Sequence, residues 1–270
     1  MLEKTIKAAV LGAAGRMGVS IIERIVQTRG IVLAGAIERS GHPLIGQEVG
    51  AFTGIKSLKT TLRDDLRQIL PEIDVAIDFT EPKSTLSHAE IIAFGKKALV
   101  IGTTGFSTSE TEVLKQKLSG ISCLFSPNMS IGVNVLFKMV ESIARILKDD
   151  YDIEIVEAHH RMKKDAPSGT AVRLAAIVAE ALGRNLDNVG VFGRKGIVGE
   201  RKAKEIGVHA VRGGDIVGDH TVFFAGVGER LEVIHRAHSR NTFASGAVKA
   251  ALWVVDQPPG IYSMQDVLGL

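Results

Sequence analysis

Two adjacent imidazoles, His159 and His160, are followed closely by Arg161, Lys163 and Lys164 and then by Pro167-Ser168-Gly169-Thr170. Imidazoles exchange protons near neutral pH, and neighbouring ammonium and guanidinium groups neutralise an anion. Gly169 and Thr170 open onto an Ala-rich apolar run, Ala171 to Leu182, so a helix begins there with open backbone N–H groups and a positive dipole end. Acid/base groups beside such a helix start make a pocket suited to a carboxylate or a phosphate. A solvated basic loop ahead of a capped helix has the same composition, so the stretch needs support from the rest of the chain.

That support comes from the amino terminus. Ile6 to Leu11 is a short apolar run, followed at once by Gly12-Ala13-Ala14-Gly15-Arg16-Met17-Gly18 and by the helical spacing Ile21, Ile22, Ile25, Val26. Strand, glycine turn and helix in that order let the backbone approach a pyrophosphate and present helix N–H groups to it. Gly12 suits the tight turn, Gly15 admits the phosphate, and Gly18 allows the helix to lie close on the strand. A second apolar run, Ile31 to Ile37, ends in Glu38-Arg39, about twenty residues beyond the glycines, where a carboxylate binds ribose hydroxyls. Glu38 favours NAD and Arg39 favours the 2′-phosphate of NADP, so the pair leaves NADPH or NADH open. Strands over Asp74 to Phe79, Ala98 to Ile101 and around Leu124-Phe125 continue the α/β pattern. Ligands in such sheets sit at the carboxyl ends of strands, which places Gly102, Thr103 and Thr104, and then Ser126, Pro127, Asn128 and Met129, beside the ribose and nicotinamide.

The bulk properties narrow the class. A chain of 270 residues with 45% hydrophobic content can bury a sizeable core as one large or two ordinary domains. The net charge of +3 is spread along the sequence rather than gathered into an arm or stripe, which argues against a nucleic-acid partner. Cys123 is the single cysteine, so no internal disulfide and no Cys-rich metal site is expected, and no metal is assigned. It lies in the apolar run Ile121 to Phe125, not at a helix start, and reads as a buried structural thiol rather than a dehydrogenase nucleophile. The absence of a signal-peptide core and of long apolar runs makes a reducing cytoplasm the expected location and excludes a membrane partner.

Between the two motifs, Ile131 to Leu147 has helical periodicity and is expected to lead from one domain to the next. Asp152 to Ala158 alternates like a half-buried strand, with Ile153, Ile155 and the adjacent Val156 as apolar members, and it delivers the two histidines to its end. Short β-like runs follow at Gly207 to Val211, His220 to Ala225 and Leu231 to Ala237, punctuated by glycines. Thr242 to Val255, carrying Trp253, is a final helix. The expected fold class is α/β: a Rossmann-type nucleotide-binding domain plus an α+β substrate-binding and oligomerisation domain with a mixed open sheet, whose exposed edges suggest oligomerisation.

With these residues assembled, the chain closely resembles the 4-hydroxy-tetrahydrodipicolinate reductase (dihydrodipicolinate reductase) family of the diaminopimelate route to lysine. The resemblance runs over nearly the whole sequence: the glycine turn, Asp78-Phe79-Thr80, Val100 to Phe106, Ser130 to Asn134, Gly213 to His220 and Gly228 to Glu232. Its most specific stretch is Glu157-Ala158-His159-His160-Arg161 through Lys163 to Ala171. Met129 and Met162 stand where the family often has other residues.

The resemblance implies NAD(P)H-dependent reduction of (2S,4S)-4-hydroxy-2,3,4,5-tetrahydrodipicolinate to 2,3,4,5-tetrahydrodipicolinate with loss of water. It implies His159 as general acid/base, Lys163 as proton donor and substrate contact, and His160, Gly169 and Thr170 as holders of the dicarboxylate substrate. It also implies a nucleotide domain over residues 1–130 and 241–270, a substrate-binding and tetramerisation domain over 131–240, and a homotetramer. Hinge closure near Ser130 and Arg240 is a further expectation. The competing readings are another two-domain dehydrogenase of the homoserine or semialdehyde type, which has no need of the His159-to-Thr170 constellation, and a redox-sensing protein that binds NAD(H) without turnover.

Overall fold

Alternation along the first strand sets the layers of the amino-terminal part. In β1 (Ile6–Leu11), Ala8 and Val10 point to one face and Ala9 and Leu11 to the other, and all four are fully buried. A strand buried on both faces needs helices above and below it. The computed structural model, which describes residues 5–270, places them there.

The chain divides into two units, residues 1–131 with 240–270, and residues 132–239. In the first, β1 is followed by α1 (Arg16–Val26), β2 (Ile31–Ile37), α2 (Val49–Thr53), β3 (Leu62–Arg63), β4 (Val75–Asp78), α3 (Pro82–Phe94), β5 (Ala98–Ile101), α4 (Thr108–Leu118) and β6 (Ser122–Phe125). The second unit takes in α5 (Ile131–Leu147), β7 (Asp152–His159), α6 (Gly169–Ala181), α7 (Leu186–Val189), β8 (Gly190–Phe192), β9 (Ile206–Arg212), β10 (Gly218–Ala225) and β11 (Arg230–Ala237). The chain then returns to the first unit with α8 (Asn241–Val254), β12 (Gly260–Tyr262) and α9 (Met264–Leu268).

The first unit has a seven-stranded sheet in the order β12-β6-β5-β4-β1-β2-β3, parallel at every pairing. One face is covered by α1 and the Ala-rich α8, through Val10, Ile21, Ile22, Ala247 and Val254. The other is covered by α3 and α4, through Leu11, Ile92, Leu99 and Leu114, with Cys123 buried among them. Burial, with the Asp78 charge adding, pushes the Cys123 thiol far up, so it is a packing residue. Trp253 meets Tyr262 edge-on at 5.2 Å between ring centroids, joining α8 to β12.

The second unit holds a mixed five-stranded sheet in the order β11-β10-β7-β9-β8, antiparallel from β11 to β7 and parallel from β7 to β8. Its core packs Val133, Leu136 and Val140 of α5 and Leu174, Ala175 and Val178 of α6 against Ile153, Ile155, Val208, Val222 and Phe224. The buried face of β7 continues from Ile153 and Ile155 to Glu157 and not to Val156, which is half-buried. A fully buried carboxylate in line with two isoleucines demands partners, and they lie at the end of the strand.

Candidate active site

In the first unit the glycine turn shows where a dinucleotide fits. Gly12 has a φ of +74°, and a Cβ on it would lie 3.0 Å from the Thr80 methyl. Gly15 precedes α1 with no side-chain cap, so the first-turn amides of the helix stay open toward the groove. A cavity of about 700 Å³ runs from Gly12 and Gly15 past Glu38, Arg39 and Ser40 to Thr80 and Glu81. The Glu38 carboxylate turns toward the glycine loop, where Oε2 accepts from Ala14 N at 3.3 Å and Oε1 from Arg39 N at 3.0 Å. Side-chain-free backbone, open amides and an acid beside a cationic side chain fit a pyridine dinucleotide.

The other residues expected at this site are placed unevenly. Ala14, Met17, Gly102 and Asn128 are half-buried, and Arg16, Thr104 and Pro127 are exposed. Ala13 is fully buried, with its N–H donating to Ile37 O at 3.0 Å. Thr103 is also buried, in a network that sequence reasoning missed: its hydroxyl accepts from Thr80 N at 3.0 Å and from Thr85 at 2.9 Å. Asp78 beneath it accepts from the Thr80 hydroxyl at 2.6 Å and from His88 Nδ1 at 2.9 Å. Ser126 is buried and donates to Asn128 O at 3.0 Å. Met129 packs into the core with α8, so its side chain is committed to that core.

In the second unit the strand end, the loop and the start of α6 bring His159, Lys163 and Ser168 together. His159 is the last residue of β7, with its side chain 12% exposed. Its Nδ1 donates to Glu157 Oε2 at 2.6 Å. A carboxylate offers only lone pairs, so this nitrogen carries the proton, and Nε2 has no hydrogen-bonding partner among the described residues. Glu157 also accepts both Arg212 Nη atoms at 2.8 Å and Ser168 N at 2.9 Å. Arg212 reaches it because β7 and β9 run parallel with His159 opposite Arg212.

Electrostatics follow from these contacts. Burial pushes the Glu157 carboxyl up, but Arg212, His159 and the Ser168 N–H together hold it below the usual carboxylate range. Burial pulls His159 down; Glu157 opposes this, Lys163 and Arg212 add to it, and the net shift is downward. His220 of β10 sits edge-on to His159 at 5.3 Å between centroids, with Nε2 3.1 Å from the Ser168 hydroxyl. Burial, reinforced by His159, brings His220 down to about 4, so it is neutral near pH 7.

Lys163 Nζ donates to both oxygens of the exposed Asp165, at 2.9 and 2.8 Å. A pair of this exposure is worth about 0.2–1 kcal/mol, so an incoming carboxylate can replace it. The Ser168 hydroxyl caps α6 by accepting from Ala171 N at 3.2 Å, leaving the Gly169 N–H outside the cap. A Cβ at Gly169 would meet nothing within 4 Å. His160 and Thr170 flank this opening and are half-buried. The sequence reading assigned no role to Glu157, Arg212, Ser168 or His220. The signal for Glu157 was present, because the period that starts at Ile153 and Ile155 lands on it.

Residues 6–129 match the family model described as Dihydrodipicolinate reductase, N-terminus, and residues 132–268 match Dihydrodipicolinate reductase, C-terminus. A 4-hydroxy-tetrahydrodipicolinate reductase of Geotalea uraniireducens is 54% identical over 265 residues, 98% of this chain and 99% of that protein. One of Pelobacter propionicus is 53% identical over 265 residues, with the same coverage of 98% and 99%. Among solved structures, a dipicolinate-bound dihydrodipicolinate reductase from Paenisporosarcina sp. TG-14 has the same fold. Its TM-score is 0.74 at 22% identity, covering 97% of this chain and 98% of that one.

Proposed function

The chain belongs to the dihydrodipicolinate reductase family, and from that premise we infer that it uses NADPH or NADH to reduce (2S,4S)-4-hydroxy-2,3,4,5-tetrahydrodipicolinate to 2,3,4,5-tetrahydrodipicolinate, with loss of water, in the diaminopimelate route to L-lysine. The observation that carries the reading is the gathering of His159, Lys163 and the uncapped Gly169 N–H at one end of the second unit's sheet. The nicotinamide, when bound, supplies the hydride. The chain must then supply a proton and hold two carboxylates.

His159 presents a bare Nε2 and takes the role of general acid/base. Lys163 combines proton donor and substrate contact. The backbone N–H groups of Gly169 and Thr170 hold one carboxylate, and Lys163 with His160 holds the other, each as a charge-assisted set. In the first unit Gly12, Ala14 and Gly15 take the pyrophosphate, and Glu38 and Arg39 the adenosine ribose. Gly102, Thr104 and the backbone of Ser126–Met129 face the nicotinamide.

The finer parts of this reading are a homotetramer assembled by the second unit and a location in the reducing cytoplasm. Supporting the first are the exposed side chains of Ile234 on the edge strand β11 and of Val211 on β9, both on the sheet face turned away from α5 and α6, apolar groups that an open sheet hides by self-association. Sedimentation analysis tests it. Among the described residues no helix is long and apolar enough to cross a membrane. The hinge near Ser130 and Arg240 belongs to the same proposal, and small-angle scattering with and without both ligands tests it.

The decisive assay follows NADPH absorbance with the cyclic imine substrate. Oxidation dependent on that substrate, inhibited competitively by pyridine-2,6-dicarboxylate, is the expected result. NADPH that binds but is never oxidised under these conditions overturns the reading in favour of a sensor.

A further inference from the structure

The four donors on Glu157 are arranged so that nothing but an ionised carboxylate satisfies them. Oε2 takes His159 Nδ1 at 2.6 Å and Arg212 Nη1 at 2.8 Å, and Oε1 takes Ser168 N at 2.9 Å and Arg212 Nη2 at 2.8 Å. An amide or a protonated acid at this position turns an N–H or O–H against one of those donor pairs. Arg212 is itself braced, donating to Val211 O and Asp165 O, each at 2.7 Å. The Glu157 side chain is fully buried. A buried ion pair is weak support for stability by itself, since desolvation consumes the Coulombic gain. A staple between β7 and β9 has no need of the imidazole as a third partner.

We propose that Glu157 and Arg212 are positioning residues for the reaction: the carboxylate fixes the proton of His159 on Nδ1, and the guanidinium keeps that carboxylate ionised, so that only Nε2 exchanges protons with substrate. The logic is that of a carboxylate orienting a catalytic imidazole, extended by a guanidinium that holds the carboxylate in place. The open side of the ring agrees with it. Gly218, the first residue of β10, has no side chain, and a Cβ there would stand 3.0 Å from His159 Nε2.

The charged and polar groups that act on the ring or on its partners come from every element packed around it. Glu157 lies on its own strand, Arg212 on β9, His220 edge-on from β10, Lys163 and Asp165 on the loop, and Ser168 at the head of α6. Among the described residues Glu157 is the one anion bonded to the ring; the Asp165 carboxylate is held by Lys163. Removing the Glu157 charge therefore leaves burial, Lys163 and Arg212 acting unopposed against the imidazolium.

The inference rests on His159 being the proton-transfer group, and the experiment separates the two. In selectively ¹⁵N-histidine-labelled full-length protein, with His159→Gln used to assign the signal, His159 should be found as the Nδ1–H tautomer in wild type and lose that preference in Glu157→Gln. The kcat of Glu157→Gln should fall about tenfold or more. The alkaline limb of kcat/KM should move about one pH unit toward acid, while binding of pyridine-2,6-dicarboxylate changes less than about threefold. A merely structural pair scales activity without moving the limb or the tautomer.

If His159→Gln keeps the wild-type kcat, the acid/base reading of His159 falls. If His159→Gln is impaired while Glu157→Gln keeps the wild-type limb and tautomer, the positioning role alone is overturned. Should Glu157→Gln fail to fold, an Nε2–H tautomer of His159 in wild type overturns the proposal without any variant.

Discussion

Gly18→Ala isolates the link between backbone packing and cofactor binding. A Cβ at Gly18 would lie 2.1 Å from Gly12 O, 2.7 Å from Ala13 Cα and 2.8 Å from Ala13 C, all of them backbone atoms of the glycine turn. No rotamer change relieves such contacts, and reaching even a tight carbon–oxygen separation needs a shift of about 1 Å. The turn cannot move freely. Gly12 N and Ala13 N both donate to Ile37 O, at 2.9 and 3.0 Å, and Gly12 O accepts from Gly15 N at 3.0 Å. Either α1 lifts off the sheet, disturbing the buried Ile21, Ile22 and Ile25, or the turn distorts.

Overpacking of this kind costs about 1–3 kcal/mol, and the better helix propensity of Ala returns about 1 kcal/mol. With backbone as the obstacle the net loss should be about 2 kcal/mol, a fall of about 4–8 °C in the Tm of a unit this size. Because the displaced turn precedes the open first-turn amides of α1 and carries the backbone proposed to take the pyrophosphate, the Kd for NADPH should rise about tenfold, equivalent to 1.4 kcal/mol. Binding of pyridine-2,6-dicarboxylate, assigned to the second unit, serves as the internal control and should not change. Calorimetric titration and thermal unfolding measure both quantities. An unchanged Kd together with a raised Tm would mean that the helix-propensity gain is felt alone, and the close-packing argument would be refuted.

Three further outcomes follow from the second unit. Gly169→Ala meets nothing within 4 Å, so its Tm should stay within about 1 °C of wild type, whereas KM for the dicarboxylate substrate should rise about tenfold as the methyl crowds a carboxylate bound at that N–H; an unchanged KM places the anion elsewhere. Lys163→Ala should lower kcat about 100-fold if the ammonium delivers a proton, and a rise confined to KM would reduce Lys163 to a binding residue. His220 is held at about 4 in the folded chain, below its ordinary 6.5, so the unfolded chain binds the proton first, and stability present above pH 6.5 is lost as the pH falls to about 4. The difference is about 3 kcal/mol, and His220→Gln, whose amide can keep the Ser168 bond, should flatten the dependence of the urea midpoint on pH across that window; parallel slopes for the two proteins would contradict it.

The parts of the fold legible in the sequence were those with a sustained period. Ala98 to Ile101 and Ile131 to Leu147 were bounded to the residue, because an apolar run between Gly102 and a charged stretch, or a helical stripe closed by Lys148, leaves little freedom. The short strands β3, β8 and β12 were not found. Two or three residues carry no measurable alternation, and these segments are strands because β2, β9 and β6 offer them backbone partners. The start of α6 lies two residues ahead of the expected Ala171, because the Ser168 side chain caps it and Gly169 and Thr170 enter the first turn. That shift puts Gly169 and Thr170 inside the first turn, at the open dipole end that the sequence reading had already assigned to this helix start.

The site divides along the same physical line. Groups that react or bind were readable because their chemistry is unusual for their place: two adjacent imidazoles, closely spaced ammonium groups, glycines after a strand. Groups that support them were hidden, because their significance lies in burial, which a linear reading reaches only through strict periodicity. Taking Val156 as the third apolar member of β7 obscured that the face of Ile153 and Ile155 ends in a carboxylate. Arg212 was further out of reach, since its partner is 55 residues away and is met only through the parallel register of β7 and β9. A charged residue at a core-face position of a strand that ends in a candidate acid/base group therefore carries more functional information than the same residue elsewhere. Burial forces it to find partners, and here the partner it finds is the imidazole itself.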